Sequence, residues 1–315
     1  MKAKHLISIQ DLDRSEIIEI FTTTQELKAR RQRGEVFVPL AGKTLAMIFQ
    51  KSSTRTRVSF EAGMLQLGGH ALFLSASDLQ LNRGETIADT ARTLSRYVDG
   101  IMIRTFKHQD VIDLAAYGSI PVINGLTDLL HPCQILADIY TIIEHKRRQP
   151  ADPQLEDVRV TFVGDGNNVC NSLAVGCSKL GMHFTVCPPQ GYDPDATVWG
   201  WAEANCRQSG GTLRIERDPA KAVAGADVIY TDVWASMGQE TERAERLKVF
   251  RPYQVNADLL RHAKPDVLVM HCLPAHRGEE ITDEVVDGPH SIVFDEAENR
   301  LHVQKAVLFL LLGRS

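Results

Sequence analysis

The sequence predicts an α/β protein of two domains, each a mainly parallel sheet flanked by helices. Three observations carry this. Short apolar runs alternate with helical patterns along the whole chain, the signature of parallel sheets. A length of 315 residues suits two domains of about 150 residues. A break at Gln149-Pro150-Ala151-Asp152-Pro153 divides the pattern near its middle.

The first half opens with an amphipathic helix over 14–32, in which Ile17, Ile18, Phe21 and Leu27 are apolar. Leu45 to Phe49 then reads as a buried strand, followed by a helix with Val58, Ala62 and Leu65 at three- to four-residue spacing. Gly68-Gly69 stops that helix. Strands follow at 71–74, 101–103 and 121–124, with helices at 86–98, 111–117 and 132–147. Lys146-Arg147-Arg148 suits a helix C-terminus. The second half reads as strands at 158–163, 184–187, 212–215, 228–231 and 267–270. Its helices are expected at 168–180, 195–208, 219–224, 242–249 and 254–263, and an apolar helix runs over 299–314. The domains are therefore set at 1–148 and 149–298, with 299–315 packing back on the first.

Composition narrows the function. Hydrophobic residues make up 43% and charged residues 24%, the profile of an ordinary globular protein. A net charge of -5 argues against a nucleic-acid-binding surface. No apolar run approaches the ~20 residues of a membrane span, and residues 1–21 lack a signal-peptide core, so a cytoplasmic location is expected. The six cysteines include no Cys-x-x-Cys pair and read as small buried hydrophobes.

Polar groups recur at the carboxyl ends of the expected strands, where parallel sheets bind ligands. Ser52-Ser53-Thr54-Arg55-Thr56-Arg57 follows the first strand and opens a helix. Hydroxyls, unpaired helix N–H groups and two guanidiniums there would hold a phosphate-like dianion, although a capped, solvated helix start has the same look. Arg104 ends the third strand, and His131-Pro132-Cys133-Gln134 follows the fourth. Pro132 suits the first helical turn. Beside Arg104, His131 becomes a donor to a polarised carbonyl oxygen, and Gln134 can bond an amide. In the second half Asn167-Asn168, Asp232 and His271-Cys272 hold matching places. This clustering implies that both domains face one cleft, which would hold the active site.

Rival chemistries are weaker. Gly164-Asp165-Gly166-Asn167-Asn168-Val169 invites a dinucleotide reading, but Val169 replaces the third glycine. The strand ending at Cys187 runs into Pro188-Pro189, with no carboxylate for a ribose. His271-Cys272 with His276 lacks a second ligand pair, so no metal is expected. Asp232 serves either as a helix cap or as the partner of a substrate ammonium.

Five motifs in order, Ser53-Thr54-Arg55-Thr56-Arg57, Arg104, His131-Pro132-Cys133-Gln134, Asp232 through Gly238, and His271-Cys272-Leu273-Pro274, resemble those of the carbamoyltransferases, and of the ornithine enzymes among them. Cys272 and the Ser236-Met237-Gly238 loop separate the sequence from the aspartate enzymes, while Ser52 stands where many ornithine enzymes carry Arg. The resemblance implies transfer of a carbamoyl group from carbamoyl phosphate to the δ-amine of L-ornithine, giving L-citrulline and phosphate, with no cofactor. It implies that Ser53, Thr54, Arg55 and Thr56 bind the phosphate and that Arg104, His131 and Gln134 hold the carbamoyl group. Gln80, Pro132, Cys133, Leu273 and Arg300, the last expected at the start of the final helix, are further carbamoyl phosphate contacts. Asn168, Asp232, Ser236 and Met237 bind ornithine. Cys272 lies at the reacting centre and counts as catalytic with Arg104 and His131. A homotrimer is implied, with the loop carrying Gln80 and Arg83 reaching a neighbouring subunit.

Overall fold

The alternation of strand and helix is realised along the chain. A computed structural model describes residues 1–75, 79, 84–235 and 240–313. It divides into two compact units, Met1–Pro153 with Glu298–Ser315, and Gln154–Ala297.

The first unit begins with α1 (Arg14–Gln32), whose N-cap Asp13 and the third helical residue, Glu16, form a capping box. Then come β1 (Thr44–Phe49), α2 (Thr54–Gln66), β2 (His70–Ser75), α3 (Ile87–Leu94), β3 (Gly100–Arg104), α4 (His108–Tyr117), β4 (Val122–Leu126) and α5 (Pro132–His145). The strands pair in parallel in the order β2-β1-β3-β4. β3 and β4 are buried at every position, as expected of a parallel sheet covered on both faces. Ile48, Ile101, Ile103 and Val122 form its core with Val111 and Leu114 of α4.

The second unit runs through β5 (Arg159–Val163), α6 (Asn168–Lys179), β6 (His183–Cys187), α7 (Ala196–Ser209) and β7 (Thr212–Ile215). It continues with α8 (Pro219–Val223), β8 (Val228–Thr231), α9 (Arg243–Phe250), α10 (Ala257–Leu260), β9 (Leu268–His271) and α11 (Asp283–Val286). Its parallel order is β7-β6-β5-β8-β9. Val163, Ile229 and Val269 pack there with Val223, Leu259, Val285 and Val286.

Three local expectations are corrected. The helix expected over 254–263 shortens to the single turn α10, capped by Asn256. The last helix, α12, runs from Val293 to Leu312, so Arg300 lies two turns inside it. Its first turn carries Asp295 and Glu296, which suit a positive helix end but interrupt the apolar run that marked the expected start. In α2 the apolar positions Val58 and Leu65 are exposed, 55% and 73% respectively. The buried face is instead Phe60, Gly63 and Met64. A Cβ on Gly63 would come within 3.6 Å of Leu308 and 3.3 Å of Lys305, both on α12. Among the described residues no helix is long and apolar enough to cross a membrane.

Candidate active site

In both sheets the chain starts at an inner strand and fills first one side, then the other. The order reverses between β1 and β3 in the first unit, and between β5 and β8 in the second. At such a switch point the adjacent loops diverge and leave room for a ligand.

In the first unit Phe49 and Arg104 stand side by side at the ends of β1 and β3, and the Gln50 N–H donates to the Arg104 carbonyl. The chain then turns into α2. Ser53 is its N-cap, its Oγ accepting from the Thr56 N–H at 3.2 Å. Arg55 is half-buried and Thr56 is buried, whereas Thr54 is exposed. Arg57 departs from the two-guanidinium reading. It is exposed, pairs with Glu61 at 3.0 Å and lies 3.8 Å over the Phe73 ring. Residues two apart on a helix do not share a face, so only Arg55 stays with the turn.

β4 brings His131 beside this group, with Pro132 opening α5. His131 is the N-cap but makes no side-chain cap bond, so it is not the capping histidine that a helix start suggests. Burial pushes its pKa well below the ordinary value, and Arg300, Arg104 and Arg55 push it down further. The ring is therefore neutral near pH 7, and a neutral imidazole offers one N–H donor. Burial pushes the Cys133 thiol up to about 12, so it stays protonated and donates to the Asn124 carbonyl at 3.4 Å. Gln134 donates from Nε2 to Asp138 at 2.8 Å, while its Oε1 accepts from Arg300 Nη1. Arg300 Nη2 also donates to Thr56 Oγ1 at 3.2 Å. Arg300 thus joins α2 to α5 and positions both Thr56 and Gln134. Sequence reasoning missed Lys51, which is 7% exposed, paired with Asp128 and 4.3 Å over the Phe106 ring. Its place just after β1 was the available signal.

In the second unit Asn167 caps α6, its Oδ1 accepting from the N–H groups of Val169 and Cys170. Its Nδ2 donates to Asp232 Oδ2 at 2.7 Å, so Asn167 orients the carboxylate. Asp232 Oδ1 accepts from the Val233 N–H at 2.8 Å and from the Cys272 thiol at 3.1 Å. Arg246, also missed, donates to Asp165 at 2.8 Å and to the Trp234 carbonyl at 2.9 Å, fixing the chain just beyond Asp232. Burial raises the Asp165 pKa, and Arg246 opposes that rise.

Leu273 follows Cys272 at φ +57, a left-handed conformation that costs a non-glycine residue about 1–3 kcal/mol. Its N–H donates to His271 Nδ1 at 2.8 Å. Buried Glu296 holds both flanking strands, accepting from the Tyr230 hydroxyl and the His271 N–H. Ligand atoms of Asp232, His271 and Cys272 lie within 4.8 Å of one another. A metal does not suit them, because His271 Nδ1 already accepts from Leu273 and Nε2 then carries the hydrogen, facing Glu280 at 3.1 Å. Gln80, Arg83, Ser236, Met237 and Gly238 lie outside the described residues.

One site gathers cations and neutral donors and the other a braced carboxylate, and comparison with known proteins gives the family. The family profile described as aspartate/ornithine carbamoyltransferase, carbamoyl-P binding domain, matches residues 4–144, and that described as the Asp/Orn binding domain matches 156–311. The chain belongs to the aspartate/ornithine carbamoyltransferase family. More particularly, it is 60% identical over 313 residues to the ornithine carbamoyltransferase of Pyrococcus abyssi, covering 99% of this chain and 97% of that one. The solved ornithine carbamoyltransferase of Pyrococcus furiosus is 59% identical with a TM-score of 0.94, covering 99% and 97% of the two chains. That of Thermus thermophilus is 38% identical with a TM-score of 0.87, covering 99% and 100%.

Proposed function

We propose that the protein transfers the carbamoyl group of carbamoyl phosphate to the δ-amine of L-ornithine, forming L-citrulline and phosphate. The observation that carries this is the pair of switch-point sites, one built of cations and neutral donors, the other around Asp232. Residues 1–148 with 299–315 are the carbamoyl phosphate-binding domain, and 149–298 the ornithine-binding domain.

Ser53, Thr54, Arg55 and Thr56 take the phosphate at the start of α2, where unpaired N–H groups and the helix dipole favour a dianion. Arg104 and neutral His131 donate to the carbonyl oxygen and stabilise the charge that develops there as the amine attacks. Gln134, Pro132, Cys133, Leu273 and Gln80 surround the carbamoyl group, and Arg300 positions Gln134 and Thr56. Attack forms the new C–N bond, the tetrahedral centre collapses, and the C–O bond to phosphate breaks. The proton of the attacking nitrogen leaves with solvent or phosphate.

Asp232, braced by Asn167, anchors the α-ammonium of ornithine, with Asn168, Ser236 and Met237 completing the contact. An alkyl amine has a reference pKa of about 10.4, so about one molecule in 2,500 is neutral at pH 7. Anchoring the far end keeps the δ-amine beside Cys272 and away from a carboxylate that would hold it protonated. Turnover at limiting ornithine should rise with pH above neutral.

The decisive measurement is phosphate release from carbamoyl phosphate with ornithine, aspartate, putrescine or N-acetylornithine as the acceptor. Preference for any acceptor but ornithine would sink the assignment. We also read the enzyme as a cytoplasmic homotrimer of arginine biosynthesis. Val58 and Leu65, seven residues apart on one face of α2, are exposed apolar side chains that suit self-association. The six free thiols suit a reducing compartment. Light scattering should give the mass of three chains, and a fully active monomer would contradict the trimer.

A further inference from the structure

A cavity of about 280 Å³ lies in the first unit between the end of α1, the segment after it, the end of α2 and the middle of α12. Lys305 reaches it from α12. The residue is only 4% exposed, and among the described residues its ammonium has no hydrogen-bond or ion-pair partner. Its stem lies against Gly63. Burial lowers its pKa, and the nearby Arg31 lowers it further. Lys305 lines the cavity with an unpaired ammonium, a charge that an anion entering there would compensate. Gln66 lines the same cavity, and its Oε1 is buried without a donor. The apolar part of its wall is Leu27, Phe37 and Leu67. Arg30 and Glu35 also face the cavity but are engaged with Glu26 and Arg33 respectively.

We propose that this cavity binds a small carboxylate that also carries a hydrogen-bond donor and an apolar arm, an aliphatic α-amino acid. Lys305 and Arg31 take the carboxylate, Gln66 Oε1 accepts from the ammonium, and the side chain lies against Leu27, Phe37 and Leu67. Two of the three helices around this pocket, α2 and α12, also carry residues assigned to the active site. α2 bears Thr56 at its start and Gln66 at its end, and α12 bears Arg300 five residues before Lys305. An occupant therefore touches the far ends of elements that position the phosphate and carbamoyl contacts, as an effector would.

The test is titration calorimetry of L-leucine into the intact protein, which needs no turnover and so stands apart from the carbamoyl-transfer reading. One molecule should bind per chain. Lys305→Met should raise Kd about tenfold or more, the loss of a charge-assisted bond, and Arg31→Ala several-fold. Asp232→Asn should leave binding unchanged. Leucinamide, which lacks the carboxylate, should not bind, and 4-methylpentanoate, which lacks the ammonium, should bind more weakly. No saturable heat up to about 10 mM overturns the proposal. So does binding that survives Lys305→Met but is lost in Asp232→Asn, which would place leucine at the amino-acid substrate site. If thermal melting shows Lys305→Met to be unfolded, Arg31→Ala, at an exposed helix end, carries the test, and unchanged affinity there overturns the proposal.

Discussion

The two units use one topological device for opposite chemistry. In the first, the reversal between β1 and β3 gathers Arg55 and Arg104, with Arg300 joined to Thr56 and Gln134. In the second, the reversal between β5 and β8 presents Asp232, held by Asn167, Val233 and Cys272, with Arg246 neutralising Asp165 behind it. The backbone supplies the place, and the residues that follow each strand choose between anion and cation. The positive side also bears on a protonation state, because burial first, and then three guanidiniums, push the His131 pKa down.

The largest effect expected from breaking this contrast is at Arg55. Arg55→Lys keeps the charge but loses the planar two-pronged donor. Its kcat/KM for carbamoyl phosphate should fall at least about 100-fold, or some 2.7 kcal/mol in the transition state. Arg57→Lys, on the outer face of the same helix, should stay within about twofold, because its partners are Glu61 and Phe73. Equal losses in the two variants, read by steady-state kinetics, would remove the distinction between them.

On the acidic side, Asp232→Asn should raise the KM for ornithine about 50- to 100-fold while leaving carbamoyl phosphate affinity within about twofold. A change in both affinities would mean that Asp232 shapes the fold rather than the amine site. Cys272→Ala should lower kcat by about tenfold, with measurable turnover remaining, since the thiol donates to Asp232 and forms no bond to carbon. A carbamoyl adduct on Cys272 seen by mass spectrometry would refute that role.

The smallest effect concerns acid stability. The folded His131 pKa lies below its unfolded value of about 6.5, so below that pH the unfolded chain binds a proton that the folded chain does not. His131 then contributes destabilisation as pH falls from about 6.5 towards its folded pKa, at most about 1.4 kcal/mol per pH unit. His131→Gln should flatten this part of the urea-unfolding stability profile between about pH 6.5 and 5. His5, His108 and His302 are also pushed down by burial, so the profile should keep a residual slope. An unaltered slope would show that His131 is no less protonated in the folded state than in the unfolded one.

Local pattern was enough to read several features of this protein. Apolar runs such as Leu45 to Phe49 and the intervening helical spacing report which backbone becomes strand and which helix, because each period depends only on neighbours in the chain. Parallel strands then place Arg55, Arg104, His131, Asp232 and Cys272 after carboxyl ends without further information. Other features depend on which distant surfaces meet. Periodicity shows that α2 has apolar positions but not that Phe60 and Met64 are buried while Val58 and Leu65 face outward. Adjacency of Arg55 and Arg57 in sequence hides their separation by the helical turn. Arg300 meets Thr56 across 244 residues and Gln134 across 166, and the Asn167–Asp232 bond spans 65. Such contacts are chosen by strand order and packing. The energies that select them come from burial and hydrogen bonding between segments, and a single segment's pattern does not contain its partner.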